Sequence, residues 1–100
     1  MMLFHITTRV AWEAARTSGE YRAASLASEG FVHLSEERQW PGTLKRFFAG
    51  QRGLVLLVID SARLRAAVKY EAADGDRFPH LYGALNLDAV VEVRELPSGP

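Results

Sequence analysis

Apolar and polar positions follow two periods along this chain, and the changes of period predict a small α+β domain. Residues 54–59 form a continuous apolar and β-branched run, which is typical of a strand buried on both faces. Residues 85–96 alternate between apolar and polar side chains, as a strand with one buried face does. A helix that begins near Glu37, or that is kinked because of Pro41, is predicted by the helical spacing of Trp40, Leu44, Phe47 and Phe48.

Capping and turn residues predict where the other elements lie. Thr8 is suited to cap a helix that ends at Ser18 and Gly19. Pro79 predicts an extended loop over residues 78–83. The remaining predicted elements are strands over 2–7, 31–34 and 69–72, irregular helical turns over 20–29, a short helix from Asp60 or Ser61 to Ala67, a turn over 74–76 and a disordered tail over 97–100.

The length and charge of the chain limit its organisation and its partners. A chain of 100 residues builds one core, so residues 1–96 are expected to form a single domain. The charges of its 12 basic and 12 acidic residues cancel, so the chain has no net charge that would attract nucleic acid. Nucleic acid is therefore not expected as a partner. No apolar run approaches the ~20 residues of a membrane helix, and no membrane association is expected.

The chain contains no cysteine, which excludes disulfides, thiolate zinc sites and a cysteine nucleophile. The first residues have neither the basic nor the long apolar region of a signal peptide. These two features together predict a cytoplasmic location. The oligomeric state does not follow from the sequence.

Three histidines carry the strongest functional signal. His5, His33 and His80 each lie in an apolar string, at residues 3–7, 30–35 and 78–83. Imidazole titrates near neutral pH, and polar groups among apolar neighbours need partners, so we expect the three to meet at one partly buried site. The alternative for each is a hydrogen-bonded structural histidine.

The spacing of the histidines and the residues around Ser35 argue against two kinds of catalytic site. No HxH, HxxxH or HExxH pair is present, so no metal site is predicted. No GxSxG string surrounds Ser35, which argues against a serine hydrolase. Alternation along a strand does place Phe31, His33 and Ser35 on one face, where they could line a ligand cleft.

Two further side chains are candidates for the same cleft. Glu71 precedes the His80 string, so its carboxylate could face the cleft, the alternative being a solvated or salt-bridged surface residue. Tyr82 offers a ring for stacking and a hydroxyl for hydrogen bonding, and it is equally suited to core packing.

The histidine strings resemble those of domain-of-unknown-function family 952, and the resemblance covers nearly the whole chain. It is carried by residues 5–7, 19–21, 29–33, Ser35, Gln39, 48–50, 70–71, 78–83 and 89–91. The family is similar in fold to ADP-ribosyltransferases, which bind NAD in a cleft between two small antiparallel sheets. The resemblance therefore implies split antiparallel or mixed sheets with two to three short helices.

The same resemblance implies a small NAD- or nucleotide-binding enzyme that acts at the bond between nicotinamide and ribose, with NAD as substrate. A carboxylate would stabilise the oxocarbenium-like transition state. The residues implied as catalytic are His5, His33 and Glu71, and those implied as ligand-binding are Thr7, Ser35, Gln39, His80 and Tyr82. A non-catalytic ligand-binding module with the same cleft stays open, and it is favoured if Glu71 points away from His5 and His33.

Overall fold

Antiparallel sheets and short helices make up residues 1–97, the part of the chain described by this structure, a computed structural model. The elements are β1 (Met2–Thr8), α1 (Arg9–Ser18), β2 (Glu20–Tyr21), α2 (Ala24–Ser28), β3 (Val32–His33), α3 (Trp40–Phe47), β4 (Leu54–Asp60), β5 (Ala67–Ala73), β6 (Asp76–Tyr82), β7 (Leu85–Asn86) and β8 (Val90–Glu95). The predicted α+β class is confirmed. Of the predicted tail, residues 98–100 lie outside the described residues.

The apolar run in the middle of the chain forms the central strand of the first sheet, as predicted. This sheet has the order β1-β4-β8, and β1 pairs with β4 from Met2 opposite Asp60 to Thr8 opposite Leu54. Its two faces are covered by different elements. Leu57 on one face packs in a cluster with α1 and β2, while Leu56 on the other face packs beneath side chains of α3. Both faces of β4 are therefore buried.

The second sheet has the order β3-β6-β5, and a smaller sheet pairs β2 with β7. A single bridge joins the first sheet to the segment after β3. The Phe4 N–H donates to the Ser35 carbonyl at 2.8 Å, and the Ser35 N–H donates to the Phe4 carbonyl at 2.7 Å. This bridge brings β1 beside β3, so His5 and His33 become neighbours.

The helix boundaries follow their capping residues. Thr8 caps α1 by accepting a hydrogen bond from the Ala11 N–H at 3.0 Å, as predicted. Helix α3 begins at Trp40 rather than near Glu37, because residues 36–39 form a turn in which the Gln39 side chain accepts the Glu36 N–H at 2.9 Å. No helix within residues 1–97 has the length and apolar character needed to cross a membrane.

The prediction of an extended loop over residues 78–83 is wrong, since residues 78–82 belong to strand β6. Proline is tolerated in a strand where its missing N–H faces no ladder partner. The Pro79 carbonyl accepts the Leu34 N–H at 3.0 Å, on the side away from β5. Because the amide and carbonyl of a strand residue point to the same side, Pro79 removes no hydrogen bond between β5 and β6.

Two other predicted elements are also wrong. The helix from Asp60 or Ser61 to Ala67 is one 3-10 turn, Ser61–Arg63, after which the chain is extended at Leu64. The strand over residues 85–96 is divided between β7 and β8 by a second 3-10 turn, Leu87–Ala89. The cause lies in Asn86, whose buried carboxamide accepts the Arg65 N–H at 3.1 Å and donates to the Arg63 carbonyl at 2.9 Å.

Candidate functional site

A cavity of about 370 Å³ lies between β1, α3 and the β5–β6 hairpin. Its apolar walls come from Ile6, Leu34, Phe47, Phe48 and Phe78. Its polar lining consists of His5, His33, His80, the hydroxyl residues Ser35 and Thr43, and the acidic residues Glu29 and Asp74. The three histidines therefore border one cavity, whose volume falls at the small end of the range of ~300–1,000 Å³ for small-molecule sites.

His5 is a buried member of this site with partners at both ring nitrogens. Its Nδ1 lies 2.6 Å from the His33 carbonyl oxygen, which can only accept, so Nδ1 carries the ring proton. Nε2 consequently accepts the hydroxyl proton of Tyr21 at 2.9 Å. The Thr7 hydroxyl, 2.9 Å from the Tyr21 oxygen, completes this chain of hydrogen bonds.

Burial lowers the pKa of His5 to about 4, against the weaker opposing effect of its bond to the His33 carbonyl. Burial likewise raises the pKa of Tyr21. Both groups are neutral at pH 7. Because each ring nitrogen of His5 is already bonded within the protein, His5 supports the cavity wall and holds the His33 backbone in place.

His80 belongs to a second polar group, on the face of the β5–β6 hairpin that carries Glu71. The His80 Nδ1 donates to Glu71 Oε1 at 2.8 Å, and the Tyr82 hydroxyl donates to the same oxygen at 2.5 Å. These two bonds, that of Tyr82 first, lower the pKa of Glu71. The Phe31 ring stacks on His80 with centroids 4.0 Å apart. His80 is 5% exposed, yet its Nε2 has no hydrogen-bond partner among the described residues.

His33 is the most accessible of the three histidines. Its Nε2 lies 2.8 Å from Glu29 Oε2, and both side chains are about half exposed. Its ring centroid lies 5.3 Å from that of His80 and 4.8 Å from that of Phe31. His33 and Glu29 thus place an imidazole and a carboxylate at the border of the cavity.

The structure places four of the eight predicted site residues at the cavity and four elsewhere. His5, His33, Ser35 and His80 border the cavity. The four others, Thr7, Gln39, Glu71 and Tyr82, are absent from its lining. Gln39 instead joins the start of α3 to β6, since its amide donates to the Asp76 carboxylate at 3.0 Å and to the Arg77 carbonyl at 2.8 Å.

The cavity also contains residues that the sequence analysis did not assign to it. Phe47 and Phe48 fit the helical core pattern, and Asp74 fits a turn, so neither pattern indicated a site. Glu29 offered a usable signal, because it precedes His33 by four residues and Gly30, at a φ of 90°, allows a turn between them. A carboxylate at that spacing lies within reach of the imidazole.

The cavity has two acidic residues in its lining, and one of them, Asp74, lies 3.9 Å from the guanidinium of Arg46, which is outside the lining. Its lining includes the carboxylates of Glu29 and Asp74 and no Lys or Arg side chain among residues 1–97. Such a lining favours a neutral or cationic group over a phosphate. No cluster of three or more His, Cys, Asp and Glu residues in the described part of the chain is arranged to hold a metal ion.

Comparisons with known proteins identify relatives of this chain. A family profile described as "Protein of unknown function (DUF952)" matches residues 6–93. The crystal structure of protein CC0527 from Caulobacter crescentus is 35% identical, with a TM-score of 0.89, over 97% of this chain and 87% of that one. Its solution NMR structure is 36% identical, with a TM-score of 0.82, over 95% and 84%. No curated protein matches the chain.

Proposed function

This chain belongs to the DUF952 family, and we propose that its cavity binds a small, flat heterocycle of the nucleotide class, with the nicotinamide end of NAD as the leading candidate. The observation that carries the proposal is the convergence of three histidines, aromatic walls and two carboxylates on one cavity of about 370 Å³. This volume suits a ligand with one or two rings.

The chemistry of the lining supports a nicotinamide ring in particular. Phe47 and Phe78 offer aromatic surface against which a flat ring can pack. The oxidised nicotinamide ring carries a positive charge, which the carboxylates of Glu29 and Asp74 attract, that of Asp74 in competition with Arg46. The pyrophosphate of NAD would lie outside the cavity, because the lining supplies no cationic partner for it.

We further propose that the chain is related in fold to ADP-ribosyltransferases, and the arrangement of its sheets supports this relationship. Two antiparallel sheets, β1-β4-β8 and β3-β6-β5, meet at the bridge between Phe4 and Ser35. The cavity lies beside this junction, with Ser35 in its lining. A cleft next to the meeting point of two small antiparallel sheets is where such a fold would hold NAD.

The position of Glu71 favours a binding module over an enzyme. Bond cleavage between nicotinamide and ribose needs a carboxylate close to the reacting carbon. Glu71 is bonded to His80 and Tyr82, and it is absent from the cavity lining. We therefore propose ligand binding without catalysis as the main function.

Calorimetric titration of the protein with NAD and with nicotinamide tests the binding proposal. We expect saturable heat with both, and a His33→Ala variant should bind about tenfold more weakly, a change of roughly 1.4 kcal/mol. Its melting temperature should change little, because both members of the His33–Glu29 pair are half exposed. Glu37→Ala, at an exposed position outside the lining, serves as the matched control. Absence of heat at millimolar NAD contradicts the proposal.

A second candidate function is hydrolysis of NAD, favoured by one observation: Glu29 borders the cavity beside His33. In this reaction water attacks the anomeric carbon of the ribose, nicotinamide leaves with the bonding electron pair, and the proton of water is released. Glu29 would stabilise the positive charge that develops on the sugar.

Chromatographic measurement of nicotinamide release separates the two functions. If the chain is a hydrolase, Glu29→Gln should abolish release while NAD still binds, because the amide keeps the shape of the side chain and removes its charge. Asp74→Asn, which removes the other carboxylate of the lining, is the control and should retain release. No release from the unaltered protein at saturating NAD leaves the binding module as the function.

A further inference from the structure

His80 borders the cavity with one ring nitrogen, Nε2, that has no hydrogen-bond partner within residues 1–97. His80 is 5% exposed, and its Nε2 is buried. Buried ring nitrogens of histidine are normally hydrogen-bonded. An unsatisfied one at a ligand cavity indicates a group whose partner arrives with the ligand.

The surroundings of His80 determine which kind of partner fits. A carboxylate accepts hydrogen bonds and donates none, so the contact of 2.8 Å with Glu71 Oε1 keeps the ring proton on Nδ1. In the neutral ring Nε2 then has a free lone pair and acts only as an acceptor. Tyr82 donates to the same Glu71 oxygen, and Phe31 stacks on the imidazole, so both the carboxylate and the ring are fixed.

We propose that His80 determines the specificity of the cavity, its Nε2 accepting a hydrogen bond from an N–H of the ligand such as that of a carboxamide. Glu71 is then a positioning residue, which acts on the ligand through the tautomer of His80. This inference rests on the proposed function and narrows it: the ligand is a flat ring that carries a hydrogen-bond donor.

Nε2 is covered in the unliganded protein, so binding must be accompanied by a side-chain movement. The His33 ring lies 5.3 Å from His80 and is about half exposed. Glu29 is its one side-chain hydrogen-bond partner within residues 1–97. Rotation of His33 therefore breaks one exposed hydrogen bond and the ring contacts with Phe31 and His80, and it can admit a ligand group to His80.

A pair of ligands tests the proposal directly. In the 3-acetylpyridine analogue of NAD a methyl ketone replaces the carboxamide, so the ring keeps its size and charge and loses its N–H donors. We expect the unaltered protein to bind NAD about tenfold more tightly than the analogue, since one buried hydrogen bond would be lost. Equal affinities overturn the role of His80 and leave the binding proposal standing. If neither ligand binds, the binding proposal fails and this inference fails with it.

Two variants assign the preference to His80. His80→Asn keeps a donor near the position of Nδ1 for Glu71 and removes Nε2, so it should bind the two ligands with equal affinity. His33→Asn removes the neighbouring imidazole and should weaken both ligands while keeping their ratio. A ratio that stays at about ten in His80→Asn overturns the proposal.

The tautomer of His80 provides a readout that needs no ligand for its first step. The ¹⁵N chemical shifts of the ring in the free protein should show a protonated Nδ1 and an unprotonated Nε2. In Glu71→Gln the amide can donate to Nδ1, and we expect signal from the tautomer protonated at Nε2 together with a smaller preference for NAD. Protonation at Nε2 in the unaltered protein overturns the proposal.

Discussion

Lowering the pH from 7 to 4 should reduce the free energy of unfolding by about 3 kcal/mol through His5 alone. The pKa of this histidine is lowered from 6.5 to about 4 in the folded protein, chiefly by burial. Each unit of difference between the folded and unfolded pKa corresponds to ~1.36 kcal/mol. Between pH 6.5 and pH 4 the unfolded chain therefore binds a proton at His5 that the folded protein does not bind, and this difference favours unfolding.

The direction of the pH effect on stability, and the pH range in which it occurs, follow from the difference between the folded and unfolded pKa of His5. Above about pH 6.5 His5 is neutral in both states and contributes no pH dependence. Below that value stability falls with pH until the folded protein also protonates. Glu71 and Asp76 have lowered pKa values, so the stability that they contribute is lost below their ordinary values of 4.5 and 3.8. The interval from pH 6.5 to 4.5 therefore separates the effect of His5 from the effects of these two carboxylates.

Urea unfolding at several pH values in this interval measures the effect. His5→Asn keeps a donor for the His33 carbonyl and carries no titratable group, so its free energy of unfolding should vary much less with pH. His33→Asn removes a half-exposed histidine and should keep the steep dependence. Equal slopes in the unaltered protein and in His5→Asn would show that His5 titrates freely in the folded state.

Replacing Leu57 with alanine should cost about 2–5 kcal/mol of stability, the range for deleting a buried leucine side chain. Leu57 is 0% exposed at the centre of β4 and lies directly opposite His5 in the sheet. The loss is a large part of the ~5–15 kcal/mol that stabilises a domain. The measurement is the urea midpoint at pH 7, converted with an unchanged slope.

The matched control for this substitution is Val91→Ala on β8. Val91 is an apolar strand residue that is 46% exposed, so its truncation should change stability by less than about 0.5 kcal/mol. Similar losses at the two positions would contradict the assignment of β4 to the centre of the core.

Periodicity and capping correctly predicted those elements that are determined by residues close together in the sequence. The buried run of β4 and the Thr8 cap of α1 are examples, since each depends on residues close in sequence. The errors arose where distant partners decide the backbone. Pro79 lies in a strand because its carbonyl faces Leu34, and Asn86 interrupts a strand because it bonds to Arg63 and Arg65.

The candidate site shows the same division. The apolar context of the three histidines indicated a shared site, and the structure brings all three to one cavity. Their roles differ in ways that strand alternation cannot reveal: His5 is bonded at both ring nitrogens, while His80 has one nitrogen free of partners among the described residues. Glu71 was expected to face the cleft because it precedes the His80 string, whereas its side chain bonds to His80 and is absent from the cavity lining.

An NMR titration of protein labelled with ¹⁵N at histidine tests most directly whether the cavity bordered by the three histidines is the ligand site. We expect the ring signals of His33 and His80 to shift together on addition of NAD and to saturate at one common Kd. The His5 ring, enclosed by Tyr21 and the His33 carbonyl, should shift less. Binding of NAD that leaves the His33 and His80 rings unchanged would show that NAD binds outside this cavity.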